Sequence, residues 1–266
     1  MIYYAGLDVG SLLAKAVIMD DDGILAYSVR SIDGNFRQAA RQVMVEALDK
    51  CGLLSETLNV VGATGLGAAF VNDPAVRNTE ISCQARGIHY LLPQVRTLIE
   101  IGDQSARVIK LTEKGMVADC VVNDKCAMGS GSVLQTIAKV LGINVTDMGE
   151  LSLQSANPVR FSAGCSVFAE TEAISRIAEN ARIEDIVAGL HQAMAFKIGS
   201  IAQKIKIESD VAVTGGGACN PGLVKMLEKT IGNKLFLPRE PMFSGAIGAV
   251  LMALEKVRME KLCCSN

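Results

Sequence analysis

The sequence has little net charge and no long apolar segment. Its 26 basic and 28 acidic residues give a formal charge of −2, so the composition offers no electrostatic argument for binding nucleic acid or an anionic membrane. Its apolar runs are shorter than the roughly 18 residues that a membrane-spanning helix needs. The N-terminus enters a predicted strand without a basic leader. We therefore expect a soluble cytoplasmic protein.

Two common nucleotide-binding motifs are also missing. The sequence contains neither GxxxxGKS nor GxxxxGKT, which argues against a P-loop. No complete GxGxxG follows a predicted strand, so the sequence does not support a dinucleotide-binding Rossmann site.

Cysteine is abundant, but its spacing fits no standard metal or disulfide framework. The pattern contains no CxxC ribbon and no Cys/His zinc finger, and no export signal supports disulfides. We expect most of the thiols to be small buried hydrophobic groups. The roles of six remain open: Cys51, Cys83, Cys120, Cys219, Cys263 and Cys264. The other two, Cys126 and Cys165, belong to motifs considered below.

What the sequence does contain is an internal duplication. Residues 6–29 align without a gap with residues 98–121, at a constant offset of 92. The aligned pairs are Asp8 with Glu100, Gly10 with Gly102, Lys15 with Arg107 and Gly23 with Gly115. Each copy predicts a β-hairpin in which a carboxylate at the end of the first strand precedes a turn glycine.

Two such hairpins facing each other would form a cleft. In it, main-chain N–H groups can point at phosphates and an acidic side chain can hold a hydrated magnesium ion. The duplication therefore predicts a split nucleotide site.

The remaining pattern predicts an α/β protein. With 266 residues, half of them apolar, the chain can form one large domain or two ordinary ones, and the duplication favours two. Further strands are predicted at 59–63 and 210–214. The predicted helices are 35–51, 80–92, 131–141, 166–180, 183–205, 221–229 and 244–256.

A third glycine-rich segment reads VAVTGGGACNPG at 211–222. Here a buried strand delivers three glycines to a helix N-terminus, where the main chain can approach a ligand closely and the helix dipole favours negative charge. The alternative is a strand-to-helix turn that needs small residues only for packing. The duplicated hairpins favour the ligand-binding interpretation.

These motifs resemble those of a known superfamily. DVGS near the N-terminus, the repeated hairpin and TGGG resemble the phosphate and adenosine motifs of the actin, Hsp70 and sugar-kinase ATPases. TEISCQARG, NDKCAMGSG, AGCSVFAETE and SGAIGAV resemble, more specifically, the BadF/BadG/BcrA/BcrD-type ATPases. These are the activators of 2-hydroxyacyl-CoA dehydratases and the ATPase subunits of benzoyl-CoA reductase. The resemblance covers essentially the whole chain.

The resemblance implies a fold and a domain organisation. It implies two duplicated ribonuclease-H-like subdomains with a nucleotide cleft between them. Subdomain I, at 1–95, would carry the first phosphate hairpin. Subdomain II, at 96–266, would carry the second phosphate hairpin, the two cysteine motifs and the adenosine motif.

Roles at the nucleotide site follow from the matched positions. Asp8 would hold magnesium through water, Gly10 and Ser11 would meet phosphate, and Lys15 would neutralise phosphate charge. In the second hairpin, Gln104 would orient the attacking water. The remaining site residues would be Gly102 and Asp103 beside phosphate, and Gly215, Gly216, Gly217 and Asn220 on the adenosine side. The alternatives are a turn carboxylate for Asp8 and a solvated strand residue for Lys15.

The two cysteine motifs imply a metal cofactor. In the family that the chain resembles, the residues matching Cys126 and Cys165 each supply a thiolate to one [4Fe–4S] cluster that two subunits share. Two thiolates per chain require two chains. Both residues precede predicted helix starts, where the helix dipole stabilises a thiolate. The alternative is two ordinary buried thiols.

The function implied is an ATP-dependent electron-transfer activator. Ferredoxin or flavodoxin would donate an electron, and ATP would drive a change between two conformations. The electron would pass to a 2-hydroxyacyl-CoA dehydratase or to a benzoyl-CoA reductase type of enzyme. The assembly would be a homodimer or a heterodimer with a related ATPase subunit.

The second hairpin departs from the family pattern. The activators have DIGGQD where this chain has EIGDQS at 100–105, so Asp103 replaces a glycine and Ser105 replaces a carboxylate. Asp103 could take over the lost contact with metal or water. Gln84 stands where a histidine is common, which removes a proton carrier. These changes favour slow hydrolysis or a heteromeric complex with a more active ATPase subunit.

Two alternative functions remain open on the sequence. A kinase of the same superfamily would need a catalytic carboxylate aimed at a substrate hydroxyl, and it would leave both cysteine motifs unexplained. A regulatory subunit that binds ATP without hydrolysing it fits the altered hairpin, but it predicts a protein without iron.

Overall fold

A computed structural model describes residues 2–71, 75–123, 126–162 and 165–263. Of the positions discussed above, 124, 125, 163, 164 and Cys264 lie outside the described residues, as does the side chain of Cys263.

The chain divides into two compact units. The first comprises Met1–Gln94, Leu111–Val117 and Met242–Asn266, and the second comprises Val95–Lys110 and Ala118–Pro241.

The first unit is built on a five-stranded mixed sheet. Its strands are β1 (Tyr3–Val9), β2 (Leu13–Met19), β3 (Ile24–Ser31), β4 (Leu58–Thr64) and β5 (Ala75–Arg77). Its α-helices are α1 (Phe36–Asp49), α2 (Glu80–Leu91) and α8 (Ser244–Cys263). The strand order is β3-β2-β1-β4-β5, and β1 pairs antiparallel with β2 and parallel with β4.

The second unit repeats this plan. Its strands are β6 (Thr97–Ile101), β7 (Ala106–Leu111), β8 (Val117–Asn123), β9 (Val211–Thr214) and β10 (Leu235–Phe236). Its α-helices are α3 (Gly131–Leu141), α4 (Met148–Leu153), α5 (Ser166–Ala178), α6 (Ile183–Ala202) and α7 (Pro221–Ile231). The strand order is β10-β9-β6-β7-β8, and β6 pairs antiparallel with β7 and parallel with β9.

Both predicted hairpins and all seven predicted helices are confirmed as elements. Two helices of the first unit start at side-chain caps: Asn35 accepts a hydrogen bond from the Gln38 N–H at α1, and Thr79 accepts one from the Ser82 N–H at α2. Three elements were not predicted, namely α4, β5 and β10. Each has six residues or fewer, which is too short for a periodic pattern.

The C-terminal helix belongs to the first unit. The sequence predicts a boundary at residue 95 and a return crossing near the C-terminal helix, and the chain returns to the first unit at Met242. Here Phe243, just before α8, and Ala246, Ile247 and Val250 of α8 form an apolar cluster with Tyr4 and Val17 of the first sheet. Burial of this apolar surface places α8 with strands that lie more than 200 residues earlier in the sequence.

Glycines let α8 approach the rest of the first unit at main-chain distance. A Cβ atom on Gly6 or Gly62 would overlap the carbonyl oxygen of Ala246 or Ala249, and one on Gly248 would overlap the carbonyl oxygen of Cys83. The small residues of SGAIGAV therefore have a packing role.

We expect Gly248→Ala to lower the free energy of unfolding by about 3 kcal/mol. The added methyl group would overlap the main-chain carbonyl oxygen of Cys83, which cannot move aside as the end of a flexible side chain could. Urea unfolding followed by circular dichroism measures this. Gly216→Ala is the matched control, since its added methyl group meets no atom within 4 Å, and we expect a change within about 0.5 kcal/mol. Equal stability of both variants and the wild type would contradict the packing argument.

Candidate functional sites

The first hairpin ends β1 with a buried carboxylate. Asp8 is 7% exposed and lies opposite Lys15 in the strand pair. The Lys15 Nζ donates to Asp8 Oδ2 at 2.9 Å. The turn closes where the Gly10 N–H donates to the Leu13 carbonyl oxygen at 3.0 Å, with Ser11 inside it. Because the Lys15 Nζ lies only 3.8 Å from the Cβ position of Gly10, a cation lies directly beside the turn.

Two glycines keep the surroundings of the Asp8 carboxylate open. A Cβ atom on Gly245 would lie 3.0 Å from Oδ2, and one on Gly65 would lie 2.8 Å from Oδ1. Gly65 also has a φ of +89°, which side chains rarely adopt. Nearby, the Ser244 Oγ donates to Gln84 Oε1, so the residue that replaces the family's histidine anchors the start of α8.

The second hairpin has the same construction in the second unit. Glu100 lies opposite Arg107, with 3.4 Å between Oε2 and Nη1. The Gly102 N–H donates to the Ser105 carbonyl oxygen at 2.9 Å and closes the turn. The Glu100 carboxylate lies over this turn, because a Cβ atom on Gly102 would be 2.9 Å from Oε1. Each unit thus carries one buried acid–base pair beside one glycine turn.

The duplication extends to a second pair of turns that the sequence reasoning missed. TGLGA at 64–68 and TGGGA at 214–218 each follow the strand that runs parallel to the carboxylate strand. Gly65 and Gly215 have φ values of +89° and +86°. In both turns the carbonyl oxygen of this glycine accepts from the alanine N–H three residues later, at 3.1 Å. The repeat of TGxGA in the sequence, at an offset of 150 residues, could have revealed that these two turns are equivalent.

The TGGG segment itself lies against β6. A Cβ atom on Gly215 or Gly217 would overlap Ile101, whereas Gly216 is exposed with open space around it. Only glycine permits this close packing together with the positive φ of Gly215. Gly216 is therefore the member of the motif that a ligand can approach.

Asn220 is committed to contacts within the second unit. Its Oδ1 accepts from the Leu223 N–H at 2.9 Å and caps α7, and its Nδ2 lies 3.1 Å from His191 Nε2. The Nδ1 of His191 lies 2.9 Å from Ser152 Oγ. Burial lowers the pKa of His191 to about 3. His191 and Ser152 had no sequence signal, because their partners are distant in the chain.

The two cysteines singled out by their motifs both precede helices of the second unit. Cys126 is half-buried against the core, in a loop where the Asn123 Nδ2 donates to the carbonyl oxygens of Cys126 and Met128. Cys165 is exposed at the N-cap position of α5, and its carbonyl oxygen accepts from the Ala169 N–H at 3.0 Å.

The other described cysteines are poor thiolate donors. Burial raises the pKa of the Cys51, Cys120 and Cys219 thiols, and it raises the pKa of Cys83 to about 12. A raised pKa favours the neutral thiol, whereas iron and zinc bind the thiolate.

The second hairpin is bonded directly to the helix that follows Cys126. At the start of α3, the Gly131 N–H donates to the Gly102 carbonyl oxygen and the Ser132 N–H donates to the Asp103 carbonyl oxygen, both at 2.8 Å. The Gln135 Nε2 also donates to Asp103 Oδ1 at 3.3 Å. The first turn of α3 is therefore capped by the turn of the hairpin.

Within the described residues, no three His, Cys, Asp or Glu side chains come together as a metal-binding group. No α-helix in the same residues has the length and apolar content needed to span a bilayer.

Comparison with known proteins decides the family. The profile of the BadF/BadG/BcrA/BcrD ATPase family matches residues 5–253. The chain belongs to this family. It is 37% identical to the 2-hydroxyisocaproyl-CoA dehydratase activator of Clostridioides difficile, covering 97% of each chain. It is 30% identical to one of the subunits of benzoyl-CoA reductase from Thauera aromatica, covering 98% of this chain and 96% of that one.

Solved structures agree on the fold of this family member. An activator of 2-hydroxyisocaproyl-CoA dehydratase from Clostridium difficile with bound ADPNP superimposes with a TM-score of 0.93 at 37% identity, covering 98% of this chain and 97% of that one. A ROK family glucokinase from Streptomyces griseus gives 0.58 at 13% identity over 95% and 99% of the two chains, which shows the fold alone. The expected actin, Hsp70 and sugar-kinase type of ATPase fold is confirmed.

The predicted site residues of this ATPase family member fall into two groups. The first unit brings together Asp8, Gly10, Ser11 and Lys15. The second unit holds Gly102, Asp103, Gln104, Cys126, Cys165, Gly215, Gly216, Gly217 and Asn220. Gln104 is exposed at its turn, as an interaction with ligand or water requires. The roles assigned to these residues stay predictions.

The buried neutral imidazole of His191 predicts a pH dependence of stability. The unfolded chain binds a proton near pH 6.5, whereas folded His191 does so only near pH 3. Its contribution is therefore complete above pH 6.5 and is lost as the pH falls toward 3, with a slope of up to about 1.4 kcal/mol per pH unit. We expect His191→Gln to flatten the decline in unfolding free energy between pH 6.5 and pH 5, measured by urea unfolding. A slope equal to that of the wild type would contradict the assignment.

Proposed function

We propose that this protein is an ATP-dependent electron-transfer activator that carries a [4Fe–4S] cluster shared by two subunits. It delivers low-potential electrons to a 2-hydroxyacyl-CoA dehydratase or to a benzoyl-CoA reductase type of enzyme. The observation that carries the proposal is the hydrogen-bonded contact between the second hairpin and the start of α3, the helix that begins five residues after Cys126.

Each unit contributes one hairpin to ATP and magnesium. In the first, the buried Asp8 carboxylate holds magnesium through water, and the Gly10 main chain and Ser11 hydroxyl bind phosphate. Lys15 already lies beside this turn as the partner of Asp8, so it can share its charge with an arriving phosphate.

The second unit supplies the remaining nucleotide contacts. Gly102 and Asp103 approach phosphate through the turn, and Gln104, which is exposed, orients the attacking water. Gly215, Gly216 and Gly217 line the adenosine, with Asn220 holding the turn in place.

The cysteines fit the proposed cluster in number and in environment. A [4Fe–4S] cluster is held by four thiolates, and it supplies a site that accepts and releases one electron. Cys165 is the N-cap residue of α5, where the helix dipole favours negative charge, and Cys126 lies in the loop five residues before α3. Four other thiols are disfavoured by burial. Two ligands per chain then call for a second subunit.

The surface around Cys165 supports a partner at this position. Val167 and Phe168, the second and third residues of α5, are 69% and 66% exposed. Large apolar side chains that flank a candidate ligand on a helix face are typical of surfaces that another subunit covers. A related subunit would supply the two missing thiolates and would cover these apolar side chains. Ferredoxin or flavodoxin is the proposed electron donor.

The link between hairpin and α3 explains how ATP affects electron transfer. A ligand shifts a conformational equilibrium only through contacts that differ between the states. Movement of the Gly102–Asp103 turn on binding phosphate is passed to α3 by two main-chain hydrogen bonds. The Cys126 loop precedes this helix immediately, so its position follows that of the turn.

One observation favours a second candidate, a regulatory subunit that binds ATP without hydrolysing it. The Asp103 carboxylate accepts a hydrogen bond from Gln135, and the family's carboxylate at position 105 is a serine here. Because the Asp103 carboxylate is already hydrogen-bonded to Gln135, it is less available to a metal ion or to the attacking water. Slow ATP hydrolysis would follow.

Iron analysis tests the cysteine assignment. We expect protein purified without oxygen to contain about one [4Fe–4S] cluster per two chains. Cys126→Ala and Cys165→Ala should each lose the iron and the brown colour while the circular dichroism spectrum is unchanged. Cys219→Ala is the matched control, because Cys219 belongs to the same unit and has no assigned ligand role, and it should keep full iron. Full iron in both of the first two variants would exclude Cys126 and Cys165 as ligands of the cluster.

Turnover of ATP tests the nucleotide site. We expect Asp8→Asn to lower ATPase activity by about 10–100-fold, as loss of a carboxylate that acts on a metal through water does. Asp103→Ala should lower it less if Gln104 orients the water. The exposed Asp22→Asn, in the same chain segment, should keep wild-type activity. Unchanged turnover in Asp8→Asn would remove Asp8 from the site, and absence of turnover in the wild type with retained ATP binding would favour the regulatory subunit.

A further inference from the structure

A relay of hydrogen bonds runs through the second unit to the turn that ends the TGGG segment. It joins α4, α6 and α7 through Ser152, His191 and Asn220, all of which lie within the described residues. His191 is fully buried, and Asn220 is 8% exposed.

The direction of each bond in this relay is fixed by its two ends. Ser152 has one hydroxyl proton, and it donates that proton to the Gly149 carbonyl oxygen at 2.9 Å. The Ser152 Oγ must therefore accept from His191 Nδ1–H. At the other end, Asn220 Oδ1 accepts from the Leu223 N–H, so the Asn220 amide must turn its Nδ2–H₂ toward His191 Nε2.

Only one form of the imidazole satisfies these contacts. Nδ1 carries the proton and Nε2 accepts, so the ring is the neutral Nδ1–H tautomer. If Nε2 carried a proton, two donors, the His191 Nε2–H and the Asn220 Nδ2–H₂, would face each other. The amide would then have to rotate, and the cap on α7 would be lost. His191 Nε2 and the Leu223 N–H thus together hold the Asn220 side chain in one orientation.

The Asn220 side chain in turn stabilises the glycine turn. The Asn220 N–H donates to the Gly217 carbonyl oxygen, and its carbonyl oxygen accepts from the Val224 N–H. Residue 220 is therefore the junction between the 3₁₀ turn Gly216–Cys219 and α7. Gly216, the exposed glycine of the segment, lies in this 3₁₀ turn, four residues before the junction.

We propose that His191 is the positioning residue of the adenosine turn, acting through Asn220 to hold Gly215–Cys219 in the conformation that binds the nucleotide. This inference rests on the proposed function, because it assigns that turn to adenosine. His191 itself does not touch the ligand, since it is buried between α4 and the start of α7.

Two variants of His191 distinguish the hydrogen bond made by Nδ1 from the one made by Nε2. In His191→Gln, the side-chain amide reaches the place of Nε2, where its oxygen can accept from Asn220. In His191→Asn, the shorter amide reaches the place of Nδ1, where it can donate to Ser152 but leaves Asn220 without its acceptor. The two variants are matched in polarity, and they differ in the end of the relay that they preserve.

The Kd of ATP and the KM and kcat of ATP hydrolysis are measured on protein purified without oxygen. We expect His191→Asn to raise the Kd and KM by about fivefold or more, as loss of a buried hydrogen bond does, with kcat within about twofold of the wild type. His191→Gln should keep both constants within about twofold. A purely structural role predicts lower thermal stability in both variants with unchanged Kd and KM, and that result would overturn the proposal.

A measurement on the wild-type protein covers the case in which His191→Asn does not fold. The chain has only two histidines, so His89→Gln assigns their ring signals in nitrogen–proton NMR spectra. We expect His191 as the Nδ1–H tautomer. By reciprocity, a relay that improves nucleotide binding is stabilised by the nucleotide, so Mg²⁺ with ADP should slow the exchange of the Nδ1 proton by about fivefold or more. Unchanged exchange in protein saturated with ADP would overturn the proposal.

Failure of the wild type to bind either nucleotide would instead overturn the proposed function, and the inference with it. Wild-type binding together with unchanged affinity in His191→Asn would overturn the inference alone.

Discussion

The hydrogen bonds from the first N–H groups of α3 to the second hairpin are the interaction on which the proposed link between the nucleotide and the Cys126 loop depends. A helix begins with N–H groups that its own turns cannot satisfy. In most helices a side chain satisfies one of them, but Ser130 makes no side-chain cap at α3. The carbonyl oxygens of Gly102 and Asp103 serve instead. In the proposed mechanism, these two main-chain hydrogen bonds pass a movement of the turn to the helix.

Each of the two units pairs a buried carboxylate with a cation, but the side chains differ. Each places a buried carboxylate at the end of a strand and offsets the cost of burial with a cation from the antiparallel neighbour, Asp8 with Lys15 and Glu100 with Arg107. The lysine contact is close, at 2.9 Å, and the arginine contact is longer, at 3.4 Å. The longer Glu100 side chain folds its carboxylate back over Gly102. Its departure from aspartate therefore moves the negative charge toward the turn rather than removing it.

Local features of the sequence predicted most of the fold, including the two hairpins that carry candidate site residues. The duplicated hairpins could be found because carboxylate, turn glycine and flanking apolar residues repeat over a short span. The caps at Asn35 and Thr79 likewise mark helix starts through neighbours three residues away. A return crossing near α8 could be predicted, but the strands against which α8 packs could not, because apolar periodicity shows which face is buried and not what covers it. The glycines that let α8 approach closely, Gly6 and Gly62, lie in distant segments.

The parts of the site that escaped prediction are those held by distant neutral groups, and the chemistry of the ligand gives the reason for their neutrality. Phosphate is charged, so acid–base pairs beside the hairpin turns can exchange partners with it at little cost. Adenosine is neutral and offers no charge to replace a lost partner. An ionised group buried behind its turn would be left uncompensated. An imidazole held neutral, with partners 29 and 39 residues away in sequence, fixes the turn through directional hydrogen bonds alone. In the proposed site, neutral hydrogen bonds therefore lie behind the adenosine turn and charged pairs lie beside the phosphate turns, which matches the charge of each part of ATP.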